Sequence, residues 1–592
     1  MRQMKKVVFG FLVLLTALGY SQYIVDTPQE VEDLKKLPQE KAYLSYTGPV
    51  VFSGEYLYYN FYCFNAQNSR RSATSRVGYV ALVNDQGDYV LEQKIKLQRG
   101  LGQGDFFVTT EIPSGHYKLL AYTQWMKNNG LAQVFKGDLA IINPYLGDQS
   151  GLEIATDTMA ITQMSPLPPE SKSMDNSTLD LTLEKDVFGS REQVKLSLTN
   201  FKGELGAGAY TVKVAKRDVL NNAISTMNAT AFATSYLNVP KQVDLQLGDS
   251  LFLPEQRGAL LFGHVKHKET GLPGKDLPVV VSFPGTEFLL KFATTDANGN
   301  FYTYLRKDYK DAKTMIQVAE NSDEYIVTLG RFNKLDASTL DFKKVPWSTA
   351  WADEVKTRSV QNQIENQFFT LKPDSLLLGD PIDPFDGGIP KIFALDDYTR
   401  FPTFQETLVE ILNNAGYRSD GKGGEYIRIA QDFEKFNEAY NDYPAIVLFD
   451  GVFISDHATI KTFDARRIEK IRVVQDQFRL AGKDYQGMMA VETFEGDYYD
   501  EHQPNNGLKT AWTMPTPKKN YYKQTYTADG ATAGRIPDYR TVLLWEPSVI
   551  VEGAGQDFSF FTSDVKGTFE VVLDGFTSYG KPIYLSKTLV VE

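Results

Sequence analysis

The sequence holds one cysteine in 592 residues. A lone cysteine excludes an internal disulfide, so stability must come from packed cores, which a chain of this length can bury. Cys63 lies in the aromatic run "YLYYNFYCFN". With no base or helix N-terminus beside it, it reads as a small buried hydrophobe and not as a reactive thiol. Histidine is nearly as scarce, with His116, His264, His267, His457 and His502 as the whole set. There is no HExxH, no Walker loop and no GxSxG, so the common metalloprotease, nucleotide and serine-hydrolase signatures are missing. Beyond the N-terminus no run approaches the roughly 18 apolar residues of a membrane helix. Basic residues are outnumbered 62 to 74 and form no long run, which argues against nucleic acid as a partner.

What is present begins with a targeting signal. Arg2, Lys5 and Lys6 precede the apolar core "VVFGFLVLLTAL", and Gly19 and Ser21 suit a cleavage site. Residues 1–21 therefore read as a secretory signal peptide, with Gln22 as the first mature residue. No cysteine sits at that site, so no N-terminal lipid anchor is expected there.

The mature chain carries 13% aromatics and short alternating strands punctuated by Gly and Pro. The segment 22–150 reads as a β-sandwich, with Asp85-Gln86-Gly87 and Pro113-Ser114-Gly115 as turns. A Ser/Pro-rich linker, Thr162 to Ser177, precedes "LDLTLEKDVFGSREQVKLSLTN", which opens a second sandwich, 151–254. A third, 255–335, is marked by Thr295-Asp296-Ala297-Asn298-Gly299 before an aromatic strand. Residues 336–397 form a helical or irregular connector, with helical spacing over Thr349 to Phe369. In 398–500 a helix starts at Thr403 with Glu406 as its capping-box partner and stops at Gly416. "IVLFDGVFISD" then gives strand, Asp450-Gly451 turn and strand, a type I′ hairpin signal. "DARRIEKIRVVQD" reads as a short helix leading into a strand. The tail, 501–592, reads as a final sandwich.

Three resemblances attach to these residues. "GDFFVTTEIPSGHYKLLAYTQWMKN", Gly104 to Asn128, resembles the MG2-type domain of macroglobulin-like proteins from Bacteroidota, and 151–254 and 501–592 look macroglobulin-like too. The 255–335 module is similar to carboxypeptidase-regulatory-like domains, which are Ig-like sandwiches and not peptidases. Tyr398 to Gly496 resembles the plug domain of TonB-dependent outer-membrane receptors, with Asp450-Gly451 at the family's turn and Ile468-Glu469-Lys470-Ile471 in its helix. The segment "FRLAGKDYQGMMAVETF" lacks the family's Asn-Gly loop. A receptor barrel needs about 22 strands of about 10 residues, and only about 95 residues follow Gly496, so no barrel is encoded after the plug-like module. Cys63 precedes Phe64, so the thioester of trapping macroglobulins cannot form.

Candidate chemistry is thin. His264 and His267 face opposite ways on a strand and do not share a metal. "RGLGQGDF", Arg99 to Phe106, reads as a flexible turn, and "DYYDEH", Asp497 to His502, as an exposed acidic loop. "GDPIDPFDGG", Gly379 to Gly388, lacks EF-hand spacing. The expectation is a mostly β protein of tandem Ig-like, macroglobulin-type sandwiches with one inserted α/β plug-like domain. No catalytic, cofactor or metal residues are assigned; Asp450 and Gly451 are the candidate structural or interaction turn. The functional expectation is an exported, non-catalytic scaffold, in the periplasm, at the outer membrane or on the cell surface. Its partner would be an outer-membrane β-barrel complex such as a nutrient receptor, secretion channel or barrel-assembly machine. The alternative is a noncovalent protease-binding macroglobulin relative.

Overall fold

The computed structural model describes residues 23–592 except 26, 153, 156–177, 218, 223, 225, 238–244, 307–312, 345–346, 380–381, 432–442, 504–506 and 527–535. The expected signal peptide, residues 1–21, and the expected Thr162 to Ser177 linker lie outside the described residues. The chain divides into a host unit (Gln22–Gly258, Lys334–Leu378, Pro515–Glu592) and an insert unit (Ala259–Asn333, Gly379–Met514). Both are mostly β.

The host's first sandwich has a three-stranded sheet built on Tyr56–Asn65, with Glu40–Tyr46 and Leu101–Phe107 on either side. A five-stranded sheet is formed by Val50–Phe52, Phe135–Ile142, Gly115–Tyr122, Val77–Asn84 and Tyr89–Lys96, in that order. "RGLGQGDF" is therefore a turn only at Arg99-Gly100, with φ of 50° and 76°, and a strand from Leu101 onward. Gly102 is required by packing, since a Cβ there would meet Ile95 Cγ2 at 2.7 Å. Cys63 is fully buried, and burial pushes its thiol well above its ordinary pKa, with the neighbouring Glu40 carboxylate adding to the shift.

The second host sandwich corrects the expected boundaries. Segments 151–254 and 501–592 do not form two sandwiches. Their strands alternate in one. Gln193–Asn200 lies between Leu179–Leu183 and Gly555–Phe561, while Gly208–Lys216 lies between Gly567–Thr577 and Val542–Val551. The reason is arithmetic of faces. Neither segment has enough strands to cover both sheets, so their apolar alternations, such as Leu179, Leu181, Val571 and Leu573, close a single shared core.

In the insert unit, a sandwich is formed by Ala259–His267 with Asn300–Leu305 and Tyr325–Leu329, and by Pro278–Phe283 with Leu289–Thr294 and Lys313–Val318. The second sheet gains Leu508–Ala511, a strand expected in the C-terminal sandwich. The predicted turn at Asp296 is an Asx turn: its carboxylate accepts from the backbone N–H of Asn298 and Asn300 at 2.8 Å each, and Gly299 supplies φ 79°.

The α/β body of the insert has a five-stranded sheet in the order Lys391–Ala394, Ile468–Leu480, Lys483–Thr493, Ile446–Phe449, Val452–Phe453. Its first strand precedes the expected boundary at 398. The helix Phe404–Ile411 has the expected capping box between Thr403 and Glu406, and it buries Phe404, Thr407, Leu408 and Ile411. It ends at Leu412; Gly416 lies instead in the strand Ala415–Ser419. "DARRIEKIRVVQD" makes only one 3-10 turn, Ala465–Arg467, capped by Asp464. Ile468 to Ile471 are strand and not helix, because Ile468 and Ile471 with Val473 bury one face of a long hairpin.

Candidate functional site

The predicted turn is present and buried. Asp450 and Gly451 have φ of 46° and 83°, both positive as a type I′ turn requires. The Asp450 carboxylate, 4% exposed, accepts from Thr493 N and Thr493 Oγ1 at 2.7 Å each and from Tyr498 N at 3.1 Å. Gly285 N donates to the Asp450 carbonyl at 2.9 Å. A Cβ at Gly451 would lie 2.5 Å from Phe288 Cβ and 3.0 Å from Pro284 Cα. The turn therefore locks the α/β body onto the insert's own sandwich, and it offers no exposed surface to another molecule.

The titratable groups are spread apart or already engaged. His264 pairs across the sheet with Asn300 and Thr328, while His267 lies opposite Tyr325. His457 is buried, and its Nδ1 accepts from Ile427 N at 2.8 Å. Burial lowers its pKa to about 4. His502 stacks on Tyr498 with ring centroids 4.1 Å apart. The "DYYDEH" stretch is not an exposed acidic loop. Tyr498–Glu501 is a helical turn with both tyrosines buried, and Arg467 pairs with Asp497 at 2.8 Å and Glu501 at 2.7 Å. In "GDPIDPFDGG", Asp383 accepts from the N–H of Phe385 and Gly387, an Asx turn. Among the described residues no group of three His, Cys, Asp or Glu is placed to hold a metal.

A concave feature lies in the host unit, where sequence reasoning placed nothing. It is a cleft of about 210 Å³ between the helix Ala352–Gln367, the Tyr56–Asn65 strand and the segments around Tyr521 and Tyr539. The helix forms where its spacing predicts, yet its buried positions are polar: Arg358, Ser359 and Asn362. Arg358 Nε and Nη2 donate to the two Glu55 carboxylate oxygens at 2.8 Å each, and its guanidinium lies 4.5 Å over the Phe52 ring. Asn362 and Asn366 donate to the carbonyls of Ser53 and Gly54 at 2.8 and 2.9 Å.

Around the rim every charge has a partner. Lys372 meets Glu365 at 2.6 Å, and Lys519 bridges Asp105 and Asp374 at 2.5 and 2.8 Å. Burial opposes the Lys519 charge, but the two carboxylates outweigh it and hold its pKa above the usual range. Arg540 is bidentate to Asp538 at 2.7 Å. Aromatic rings fill the remaining wall. Tyr56 stacks on Phe369 at 5.5 Å, Tyr58 meets Tyr521 edge-on at 5.2 Å, and Trp545 lies 6.1 Å from Tyr58. The Trp545 side chain is buried and its indole Nε1 has no hydrogen-bond partner. The sequence signals for this site were the tyrosine-rich strand and the polar face of a well-formed helix, which lie 303 positions apart at the Glu55–Arg358 pair.

No family model matches the chain, and no curated protein matches it. Among solved structures it is similar to Escherichia coli α2-macroglobulin activated by porcine elastase, at 10% identity over 93% of this chain and 44% of that one, with a TM-score of 0.23. It is also similar to the E. coli adhesin FdeC, at 10% identity, 50% and 66% coverage and a TM-score of 0.15. Dimeric latent PorU from Porphyromonas gingivalis gives 12% identity, 50% and 34% coverage and a TM-score of 0.16. The chain spans less than half the length of the α2-macroglobulin.

Proposed function

We propose that this chain is an exported, non-catalytic binding scaffold whose α/β body docks an outer-membrane β-barrel complex. The observation that carries the reading is the edge of the five-stranded sheet. Lys391–Ala394 pairs on one side only, with Ile468–Leu480, and Ile389 and Ile392 are 90% and 60% exposed. Tyr398, Val409 and Phe494 of the same body are exposed as well. An open strand edge with large apolar side chains is an invitation to another protein, and soluble proteins normally blunt it. The buried carboxylates support the non-catalytic half of the reading, because hydrogen bonds or ion pairs already engage Glu40, Asp450 and Glu492. The barrel partner follows from the plug-like sequence order around Asp450-Gly451, which is an analogy of fold.

A photo-crosslinking residue at Ile392, in intact cell envelopes, tests this. Capture of an outer-membrane β-barrel protein, abolished by Phe494→Asp or Ile389→Asp with unchanged secretion, is the expected outcome. Capture of soluble proteases instead would move the function to the macroglobulin-like alternative.

A further inference from the structure

We propose that the host-unit cleft binds one uncharged, hydroxyl-bearing ring, a sugar unit of a glycan. The proposal does not depend on the barrel partner, which concerns the other unit.

Size comes first. A cleft of about 210 Å³ has room for a guest the size of a single six-membered ring with its substituents. Charge comes second. Glu55 is spent on Arg358, Glu365 on Lys372, Asp374 on Lys519 and Asp538 on Arg540. A phosphate, carboxylate or ammonium ligand would have to break one of these pairs to be desolvated, so the cleft disfavours a charged guest.

Shape and hydrogen bonding complete the argument. Tyr56, Tyr58, Phe369 and Trp545 line the same space. Flat rings with negative π faces suit the C–H face of a saturated ring. The Trp545 side chain is 6% exposed and its Nε1 has no partner. An indole N–H can only donate, so the guest must bring an acceptor. Gln361 adds a cleft-lining amide that can both donate and accept. A hydroxyl answers both, since it accepts from Trp545 and donates to or accepts from Gln361. A peptide would bring N–H groups that need acceptors, while the cleft's carboxylates are already engaged by cations.

Fluorine NMR of the full mature protein labelled with fluorotryptophan reads this directly, since the sequence has five tryptophans and Trp545→Phe identifies the reporting line. The probes are the methyl glycosides of glucose, galactose and mannose, and N-acetylglucosamine. At least one should shift the Trp545 line saturably, with Kd on the order of 1 mM, while the other four lines stay fixed. Gln361→Ala should weaken that probe about tenfold without changing Tm, the loss of one well-placed hydrogen bond. No shift by any probe at several times that concentration overturns the proposal. So does an equal shift of all five lines, or a stronger response to phosphate, glutamate or a neutral tripeptide.

Discussion

Two helices, one in each unit, are seated by opposite means. Phe404–Ile411 presents Phe404, Leu408 and Ile411 to an apolar core and is closed at its start by Thr403 and Glu406. Ala352–Gln367 presents Arg358, Ser359 and Asn362 and is held by a bidentate ion pair and amide-to-carbonyl hydrogen bonds. Apolar burial is non-directional and tolerates shifts of a few tenths of an ångström, whereas a buried guanidinium has one acceptable address. The first arrangement builds a stable body. The second fixes the wall of a cleft at a defined distance from the strand opposite. Precision is therefore concentrated in the host unit, where the unpartnered indole also lies.

The largest expected effect breaks the polar helix. Glu55→Ala leaves Arg358, 8% exposed, without its carboxylate and should cost about 4 kcal/mol. Urea unfolding should show the loss, and Glu55→Met with Arg358→Met should recover most of it. Equal losses in the single and double variants would mean that the pair is not what seats the helix. On the apolar side, Gly451→Val forces a β-branched residue to φ 83° against Phe288 and should cost about 3 kcal/mol. Limited proteolysis should then cut first within 259–514, while the host core resists; an unchanged digestion pattern would show that the turn carries no strain.

A pH titration separates the two regions further. His457 is neutral when folded, with a pKa lowered to about 4 against 6.5 when unfolded. Between those values the unfolded chain binds a proton that the native chain does not, so stability is lost as pH falls through this window, by up to about 3 kcal/mol. His457→Gln should flatten that slope, measured as urea midpoints at intervals between pH 7 and pH 4. A slope identical to wild type would place the acid sensitivity elsewhere. The smallest effect is Thr403→Ala, which removes one cap and should lower stability by about 1 kcal/mol in the same urea assay. A neutral result would mean that core burial alone holds the short helix.

Local signals proved legible and long-range ones did not. The capping box at Thr403, the positive-φ pair at Asp450-Gly451 and the helix around Arg358 follow from neighbours a few residues apart. Ile468 to Ile471 misled because one capped turn at Asp464 imitates the start of a helix. Gly102 and Gly104 read as flexibility, but their reason is a neighbouring strand that leaves no room for a Cβ. The cleft was out of reach because Glu55, Arg358, Lys519 and Trp545 meet only after three separate segments of the host unit come together.

The alternating strands of the second host sandwich have a consequence for the order of events during folding. Gly208–Lys216 ends up between two partners that lie roughly 330 to 370 residues later in the chain, so its edges stay open while the insert is still being made. Closing so long a loop costs about 5 kcal/mol of chain entropy if the intervening segment is uncoiled. Folding the insert first shortens that loop. The insert therefore has a kinetic role of its own, as the piece whose early collapse lets the host sandwich be completed. Until it collapses, the waiting strands are the part of the newly made chain most exposed to aggregation and to proteolysis.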